Sequence, residues 1–303
     1  MQSGENHVSF EVKTKHDGML LRDFLRKTQK ISHKGLCNLK NNGLILCNDE
    51  EVTVRRVLKS GDHVTIVYPQ EAISDYLTPE PIPLKIIFED QDLIVVDKPP
   101  YICVHPTKGY PQGTMANGLM HYYQQKSEKA GFHAVNRLDR GTSGLILVCK
   151  NSFGKQQLYL QQQKKAFTRT YLALVHGELP LDEDTIRTPI RKIDGKTTKR
   201  ETHLEGQEAV TNYRVLERIN NYTLVKLQLE TGRTHQIRIH MASIGHPLVG
   251  DDLYGGASYY LKRQALHADW MKFSHPRSKV ELTFEAELPQ DFVKAYKAIK
   301  AVF

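Results

Sequence analysis

The sequence contains few cysteines, and none of them are closely paired. Cys37, Cys47, Cys103 and Cys149 are the only four in 303 residues, and no two form a C-x-x-C unit. Neither a disulfide framework nor a zinc knuckle is therefore expected, and a reducing cytoplasm is the location that suits this chain best.

Long apolar runs are also missing. No stretch approaches the roughly 20 residues that a membrane-spanning helix needs. The first ten residues, MQSGENHVSF, lack the basic head and apolar core of an export signal. We therefore expect no contact with a membrane.

Motifs for nucleotide cofactors and for metals are absent as well. The chain has no G-x-G-x-x-G, no G-x-x-x-x-G-K-[ST] and no H-E-x-x-H. His235 and His240 share one segment, but their i, i+5 spacing would misalign them on a helix, and no cysteine pair completes a zinc shell. We expect a protein that works without a metal or another cofactor.

The excess charge is basic. The 42 lysines and arginines outnumber the 34 aspartates and glutamates by 8, which favours a polyanionic partner such as nucleic acid. Charge alone would also suit a merely soluble surface. The length is sufficient for one large domain and one small one.

Residues 1–68 are predicted to form a small first domain of two short helices followed by strands. The second helix should begin after a cap at Ser32 and stop at Asn42-Gly43, and a strand should follow from Leu44 to Cys47 with a turn at Asn48-Asp49. This unit resembles the RNA-binding motif named after ribosomal small-subunit protein four. Eight basic residues favour phosphate binding: Arg22, Arg26, Lys27, Lys30, Lys34, Lys40, Arg55 and Arg56.

Residues 69–83 contain four prolines and are predicted to be an extended linker. Residues 84–303 should form the second domain. Several apolar strand patterns and one helical face, built from Ile237, Met241 and Ile244, occur there without a regular βαβ repeat. The expected class is α+β, with a mixed or antiparallel sheet and flanking helices.

A polar loop punctuated by glycine, residues 136–144, precedes an apolar strand and carries Asp139. Such a loop can hold a carboxylate at the edge of a sheet. From this loop alone, however, a structural role for Asp139 is favoured over a catalytic one, because an aspartate in a turn commonly accepts hydrogen bonds from the backbone amides of that turn.

The loop and four further segments resemble the RluA/RluD-type pseudouridine synthases. The family signature, H-R-L-D-x-x-T-S-G, matches residues 136–144 except at Asn136. The other matches follow in the family's order over residues 84–290: 96–100 with 104–106, 170–175, 231–238 through 245–247 and 250–251, and 266–268 with 273–276.

The resemblance implies an RNA pseudouridine synthase that isomerises uridine in structured RNA, with ribosomal RNA as the expected target. It implies that Asp139 is the nucleophile, that Arg238 pairs with it and that Tyr171 packs on the target base. Arg137 would help to extrude the uridine. The remaining residues that it suggests for substrate binding are Arg140, Arg233, Lys98 and His105. Neither a nucleotide cofactor nor an oligomer is required.

This sequence departs from the family pattern at Asn136, Gly141, Arg169 and Gln207, so substrate choice stays open. Two other interpretations are a noncatalytic RNA-binding or ribosome-assembly factor and a glycosidase-like hydrolase. A pure binder has no need for the predicted catalytic trio. A hydrolase usually needs a second acid-base carboxylate, which the matched motifs do not supply.

Overall fold

The computed structural model describes residues 7–69, 77–193 and 198–301, so residues 70–76 of the predicted linker lie outside the described residues. Within these ranges the strands are β1 (His7–Glu11), β2 (Leu44–Cys47), β3 (Glu50–Glu51), β4 (His63–Val67), β5 (Lys85–Glu89), β6 (Leu93–Lys98), β7 (His133–Ala134), β8 (Ser143–Cys149), β9 (Thr168–His176), β10 (Glu183–Ile186), β11 (Ile190–Lys192), β12 (Arg200–Thr202), β13 (Thr211–Ile219), β14 (Tyr222–Leu229), β15 (Leu266–Ser274) and β16 (Glu281–Glu285). The helices are α1 (Leu21–Asp23), α2 (His33–Asn42), α3 (Met115–Gln125), α4 (Ser152–Gln163), α5 (Gln236–Ser243) and α6 (Gln290–Lys300).

The N-terminal part forms a four-stranded sheet in the order β1-β4-β2-β3. Helix α2 begins after Ser32, whose side chain accepts a hydrogen bond from the Gly35 amide, and it ends at Asn42 as predicted. Asn48 and Asp49 form the predicted turn, both with positive φ. The sequence patterns did not predict β1, and α1 is a single turn that continues as a π-helical turn over Phe24–Thr28.

The hydrophobic core of the N-terminal part includes a residue from the rest of the chain. Phe153 of α4 is buried within it, and its ring lies 5.6 Å from that of Tyr68. The Gln156 side chain donates a hydrogen bond to the Lys30 carbonyl. The N-terminal sheet is therefore packed against α4.

A ten-stranded mixed sheet dominates the rest of the described chain. Its main path is β10-β13-β14-β9-β15-β8-β6-β5, with β16 beside β15 and β7 beside β8. Among its described strand pairs β15 runs parallel to β8 and the others are antiparallel. The sequence predicted a mixed or antiparallel sheet with flanking helices, and the mixed alternative is confirmed.

The alternation of apolar and polar residues predicted a half-buried strand that corresponds to β14. In the structure Val225 and Leu227 are buried, whereas Gln228 is exposed. In α5, Ile237 and Met241 are buried as expected. The prediction that Ile244 continues this helical face is wrong, because Ile244 follows the last helical residue and is 39% exposed. No helix in the part of the chain that the structure describes is long and apolar enough to cross a membrane.

Candidate active site

The Asp139 loop enters the middle of the large sheet. Its end, Ser143, begins β8 and lies beside His267 of β15, and the two side chains are hydrogen-bonded at 3.0 Å. Gly144 has φ +108°, and a Cβ atom there would lie 2.2 Å from the carbonyl oxygen of Ala268. Only glycine fits between the parallel strands at this point, so the end of the loop lies directly against β15.

Buried cations hold the loop from behind. Arg263 is 3% exposed, pairs with Asp291 at the start of α6, and donates to the Gly141 carbonyl at 2.9 Å. Lys98 is fully buried, and its amine donates to the carbonyls of Pro99, Ile102 and Arg140 at 2.8, 2.9 and 3.3 Å. Burial lowers the pKa of this amine to about 7.

The structure corrects the prediction that Lys98 contacts RNA. An ammonium group has three donors, and all three are directed at backbone carbonyls inside the protein. Lys98 instead joins the Asp139 loop, at the Arg140 carbonyl, to the backbone of residues 99–102.

Asp139 and Arg238 lie together, as the sequence predicts. The Arg238 Nη1 atom donates to Asp139 Oδ2 at 3.1 Å, where the aspartate side chain is 25% exposed and the arginine side chain 9% exposed. The carboxylate is therefore open to solvent, whereas its partner comes from the protein interior.

A second carboxylate, not predicted as a site residue, fixes this arginine. Asp251 receives two hydrogen bonds from Arg238, from Nε and from Nη2, each 2.7 Å long. Burial by itself lowers the pKa of Arg238, but Asp251 and then Asp139 raise it overall. The bidentate pair leaves Nη1 as the group that points at Asp139.

The Asp139 carboxylate opens into a cleft of about 970 Å³. Basic side chains dominate its charged lining: Arg137, Lys165, Arg169 and Arg233 against Asp139 and Glu230. Arg137 and Arg233 are exposed and carry hydrogen bonds to Thr234 and to the Glu208 carbonyl. The cleft combines an excess of basic side chains with the solvent-exposed carboxylate of Asp139, which suits a phosphodiester substrate.

Tyr171 lies on β9, opposite Leu227 of β14, and lines this cleft. Its side chain is buried, with 4% exposure. Burial raises its pKa, and Arg169 opposes that rise. The residue is thus a neutral aromatic wall beside Asp139.

Glu230 is a second acidic residue in the lining. It pairs with Lys165 at 2.6 Å and also accepts a hydrogen bond from Asn212. These contacts, led by the one to Lys165, lower its pKa. A glycosidic general acid needs the opposite shift, so Glu230 does not supply the proton donor of a hydrolase.

The start of α5 contains two further polar residues that were not predicted as catalytic or substrate-binding residues. Buried Gln236 accepts from Thr231 and from the Arg233 amide and donates to Val210 and Thr211. His235, at φ +60°, lies 3.8 Å from Asp139 and 2.9 Å from the Tyr254 hydroxyl, and burial lowers its pKa. Both residues occur within a matched motif, but only the fold shows their partners.

The other predicted site residues lie at the margin. Arg140 is exposed next to Asp139, and His105 is exposed beside the Phe132 ring at 5.6 Å. Neither lines the cleft. Asn136, where the family usually has histidine, bonds the backbone of β8 through both ends of its amide and is 5% exposed.

Comparison with known proteins gives consistent matches. The RNA pseudouridylate synthase family model matches residues 92–243. The chain is 42% identical over 268 residues to the Bacillus subtilis protein named Uncharacterized RNA pseudouridine synthase YjbO, across 88% of this chain and 95% of that protein. It is 40% identical over 239 residues to ribosomal large subunit pseudouridine synthase D of Escherichia coli K12, across 74% of this chain and 73% of that protein.

Two solved structures share the fold. Human RNA Pseudouridylate Synthase Domain Containing 4 superposes with a TM-score of 0.58 at 23% identity, across 71% of this chain and 92% of that one. Human RNA Pseudouridylate Synthase Domain Containing 1 gives 0.55 at 24% identity, across 73% and 96%.

Proposed function

Because the chain belongs to the RNA pseudouridylate synthase family, it is an RNA-modifying isomerase, and we propose that it converts uridine to pseudouridine in structured ribosomal RNA with Asp139 as the nucleophile. The observation that carries this assignment is the open carboxylate of Asp139, paired with buried Arg238 at 3.1 Å inside a basic cleft. The relative named for the large ribosomal subunit supports the choice of RNA. The free cysteines suit a reducing cytoplasm.

The reaction breaks the bond between the ribose and the uracil nitrogen, turns the base and rejoins it through carbon C5. A carboxylate can attack the sugar or the base, or it can take a proton from the ribose to give a glycal, and every route uses its ionised form. Arg238, held by Asp251, stabilises that form and directs it into the cleft.

The remaining cleft residues handle the base. The Tyr171 ring would pack on the uracil and exclude water while the freed base turns. Arg137, exposed at the rim, would fill the space that the extruded uridine leaves and so offset an unstacking cost of a few kcal/mol. Arg233 would contact the backbone phosphates.

The decisive experiment is Asp139→Asn. Isomerisation makes C5 the glycosidic carbon and releases its hydrogen, so RNA labelled with tritium at uracil C5 reports turnover directly. We expect no tritium release by the variant, with RNA affinity and thermal stability close to those of the original protein. Asp252→Asn, the same change at an exposed residue, is the matched control. Appreciable turnover by Asp139→Asn would remove it as the nucleophile.

We further propose that residues 1–68 form an RNA clamp. All eight basic residues predicted to bind phosphate are exposed. Three of them, Arg22, Arg26 and Lys40, line one groove together with His33. The groove lies between α1 and α2, on the part of the chain that packs on α4.

Because deletion of this unit would expose Phe153, charge removal is the cleaner test. Arg26→Gln with Lys40→Gln should lower the slope of log affinity against log salt by roughly 0.7–0.9 for each phosphate that the protein no longer neutralises. Lys294→Gln with Lys297→Gln, two exposed lysines of α6, is the control for net charge. Equal slopes for the two double variants would argue against a clamp and leave the catalytic assignment unaffected.

A further inference from the structure

Two tyrosines and one arginine form an exposed cluster directly beside the Asp139 loop. The Arg140 guanidinium carbon lies 4.8 Å from the Tyr110 ring centroid and 5.8 Å from that of Tyr101. Tyr101 is 45% exposed and Tyr110 46% exposed, so much of each side chain faces solvent. We call this cluster the Tyr101–Arg140–Tyr110 platform. It is distinct from the residues that line the cleft.

The backbone beneath the platform is held in place. The Tyr101 amide donates to the Arg140 carbonyl at 2.7 Å, and the buried Lys98 amine reaches the same carbonyl. Thr107 and Tyr110 exchange two backbone hydrogen bonds, at 2.9 and 3.0 Å, which close the loop that carries Tyr110. The three side chains are therefore presented from a backbone that need not reorganise on binding.

Tyr101 is also in a strained conformation. Its φ is +70°, a region that is disfavoured for a large side chain and that glycine adopts freely. Burial does not explain a tyrosine here, because nearly half of the residue is exposed. Strain of this kind is concentrated at functional sites.

We propose that the Tyr101–Arg140–Tyr110 platform stacks the base of an unpaired nucleotide that neighbours the target uridine, an inference that rests on the proposed function. Unpaired RNA bases stack on aromatic rings and on guanidinium planes. Arg140 directly follows Asp139, and consecutive Cα atoms lie about 3.8 Å apart. A base on the platform thus belongs to a nucleotide close to the one over Asp139.

The platform would add affinity and alignment without reading base identity. Stacking uses the face of a base, which all four bases possess, whereas sequence is read on the edges. The positive charge of Arg140 would also attract the neighbouring phosphates. The platform thereby selects for an unpaired flank, a feature of RNA structure, over a particular sequence.

The test compares two fluorescein-labelled strands of about 12 nucleotides, an oligouridylate and an abasic ribose-phosphate strand of equal length. The variants are Tyr101→Gly, Tyr110→Ala and their combination, with Tyr110→Phe as the conservative change. Tyr259→Ala is the control, because Tyr259 is 86% exposed and lines no part of the cleft.

We expect the double variant to lose about 5- to 150-fold in affinity for oligouridylate, the equivalent of one stacked base, and nothing for the abasic strand. Tyr110→Phe should bind like the original protein. Tyr101→Gly should have a melting temperature no lower than that of the original protein, because glycine removes the strain at φ +70°. If its melting temperature is lower, the comparison of Tyr110→Ala with Tyr110→Phe tests base stacking instead.

The proposal would be refuted if the double variant bound oligouridylate as tightly as the original protein does. It would also be refuted if the double variant lost the same affinity for both strands. Tritium release from C5-labelled RNA by the original protein is measured separately. Its absence would refute the proposed function, while the comparison of the two strands would still decide whether the platform stacks bases.

Discussion

Asp251 should determine how Arg238 acts on Asp139, and Asp251→Asn tests this with a nearly isosteric change. Asp251 is 2% exposed and takes two hydrogen bonds of 2.7 Å from Arg238, whereas Asp139 takes one of 3.1 Å and its side chain is 25% exposed. The buried and bidentate contact is the stronger of the two. Loss of the Asp251 charge should therefore destabilise the protein more than loss of the Asp139 charge.

The expected magnitudes follow from these contacts. Removing one partner of a buried ion pair costs about 3–5 kcal/mol. In Asp251→Asn the introduced amide would keep an acceptor and Asp139 would keep its charge, so we expect the lower end, about 3 kcal/mol. Asp139→Asn keeps a hydrogen bond from the charged Arg238 guanidinium and leaves Arg238 paired with Asp251, so we expect a loss of about 1 kcal/mol or less.

The two variants should also differ in their rate of uridine isomerisation. Asp139→Asn should have no turnover, whereas Asp251→Asn should retain the nucleophile with a misdirected Arg238. Misplacement by about 1 Å can cost about 100-fold, and we expect a 10- to 100-fold fall in kcat with little change in KM.

Urea unfolding at constant m-value and tritium release from C5-labelled RNA are the two assays. Asp252→Asn, at the exposed neighbouring position, should stay within about 0.5 kcal/mol of the original protein. If Asp251→Asn is as stable as Asp252→Asn, or if it changes only KM, Asp251 does not position Arg238.

Two further predictions concern buried groups whose pKa is lowered. The pKa of Lys98 is about 7 in the folded protein against 10.5 in the unfolded chain, so between pH 7 and 10.5 the unfolded chain binds one more proton. The free energy of unfolding should therefore rise with pH in this range by about 1.4 kcal/mol per pH unit relative to Lys98→Met. If the difference in unfolding free energy between the two proteins does not change with pH, Lys98 stays charged in the folded protein. Burial lowers the pKa of His240, whose nitrogens lie 2.8 Å from the Thr211 hydroxyl and 2.9 Å from the Thr188 carbonyl. Below pH 6.5 the histidine binds a proton in the unfolded chain more readily than in the folded protein, so the free energy of unfolding should fall as the pH falls. In His240→Gln this dependence on pH should be weaker, by up to about 1.4 kcal/mol per pH unit. The same slope in His240→Gln and in His63→Gln, at an exposed position, would contradict the His240 prediction.

Local patterns were sufficient where a residue's role depends on its immediate neighbours. Ser32 caps α2 through an amide three residues away, and alternating burial along β14 follows from the geometry of a strand. The motif order over residues 84–290 likewise predicted the family and the RNA chemistry, which the comparisons confirm.

The same patterns failed where the partner is remote. Lys98 reaches the Asp139 loop through the Arg140 carbonyl, 42 residues along the chain, and nothing near Lys98 in the sequence shows this contact, so the sequence predicted contact with RNA instead. Strand β1 pairs with β4 across more than fifty residues, and its alternation was too short to stand out.

The sequence by itself determined the family, a mixed or antiparallel sheet and the pairing of Asp139 with Arg238, because family motifs and short-range periodicity carry that information. Only the tertiary structure showed that Asp251 clamps Arg238 and that Lys98 and Arg263 support the loop. These contacts join residues 13 to 122 positions apart. Their strength comes from burial and hydrogen-bond geometry, and both exist only once the β6, β8 and β15 strands lie in one sheet and α5 and α6 flank it.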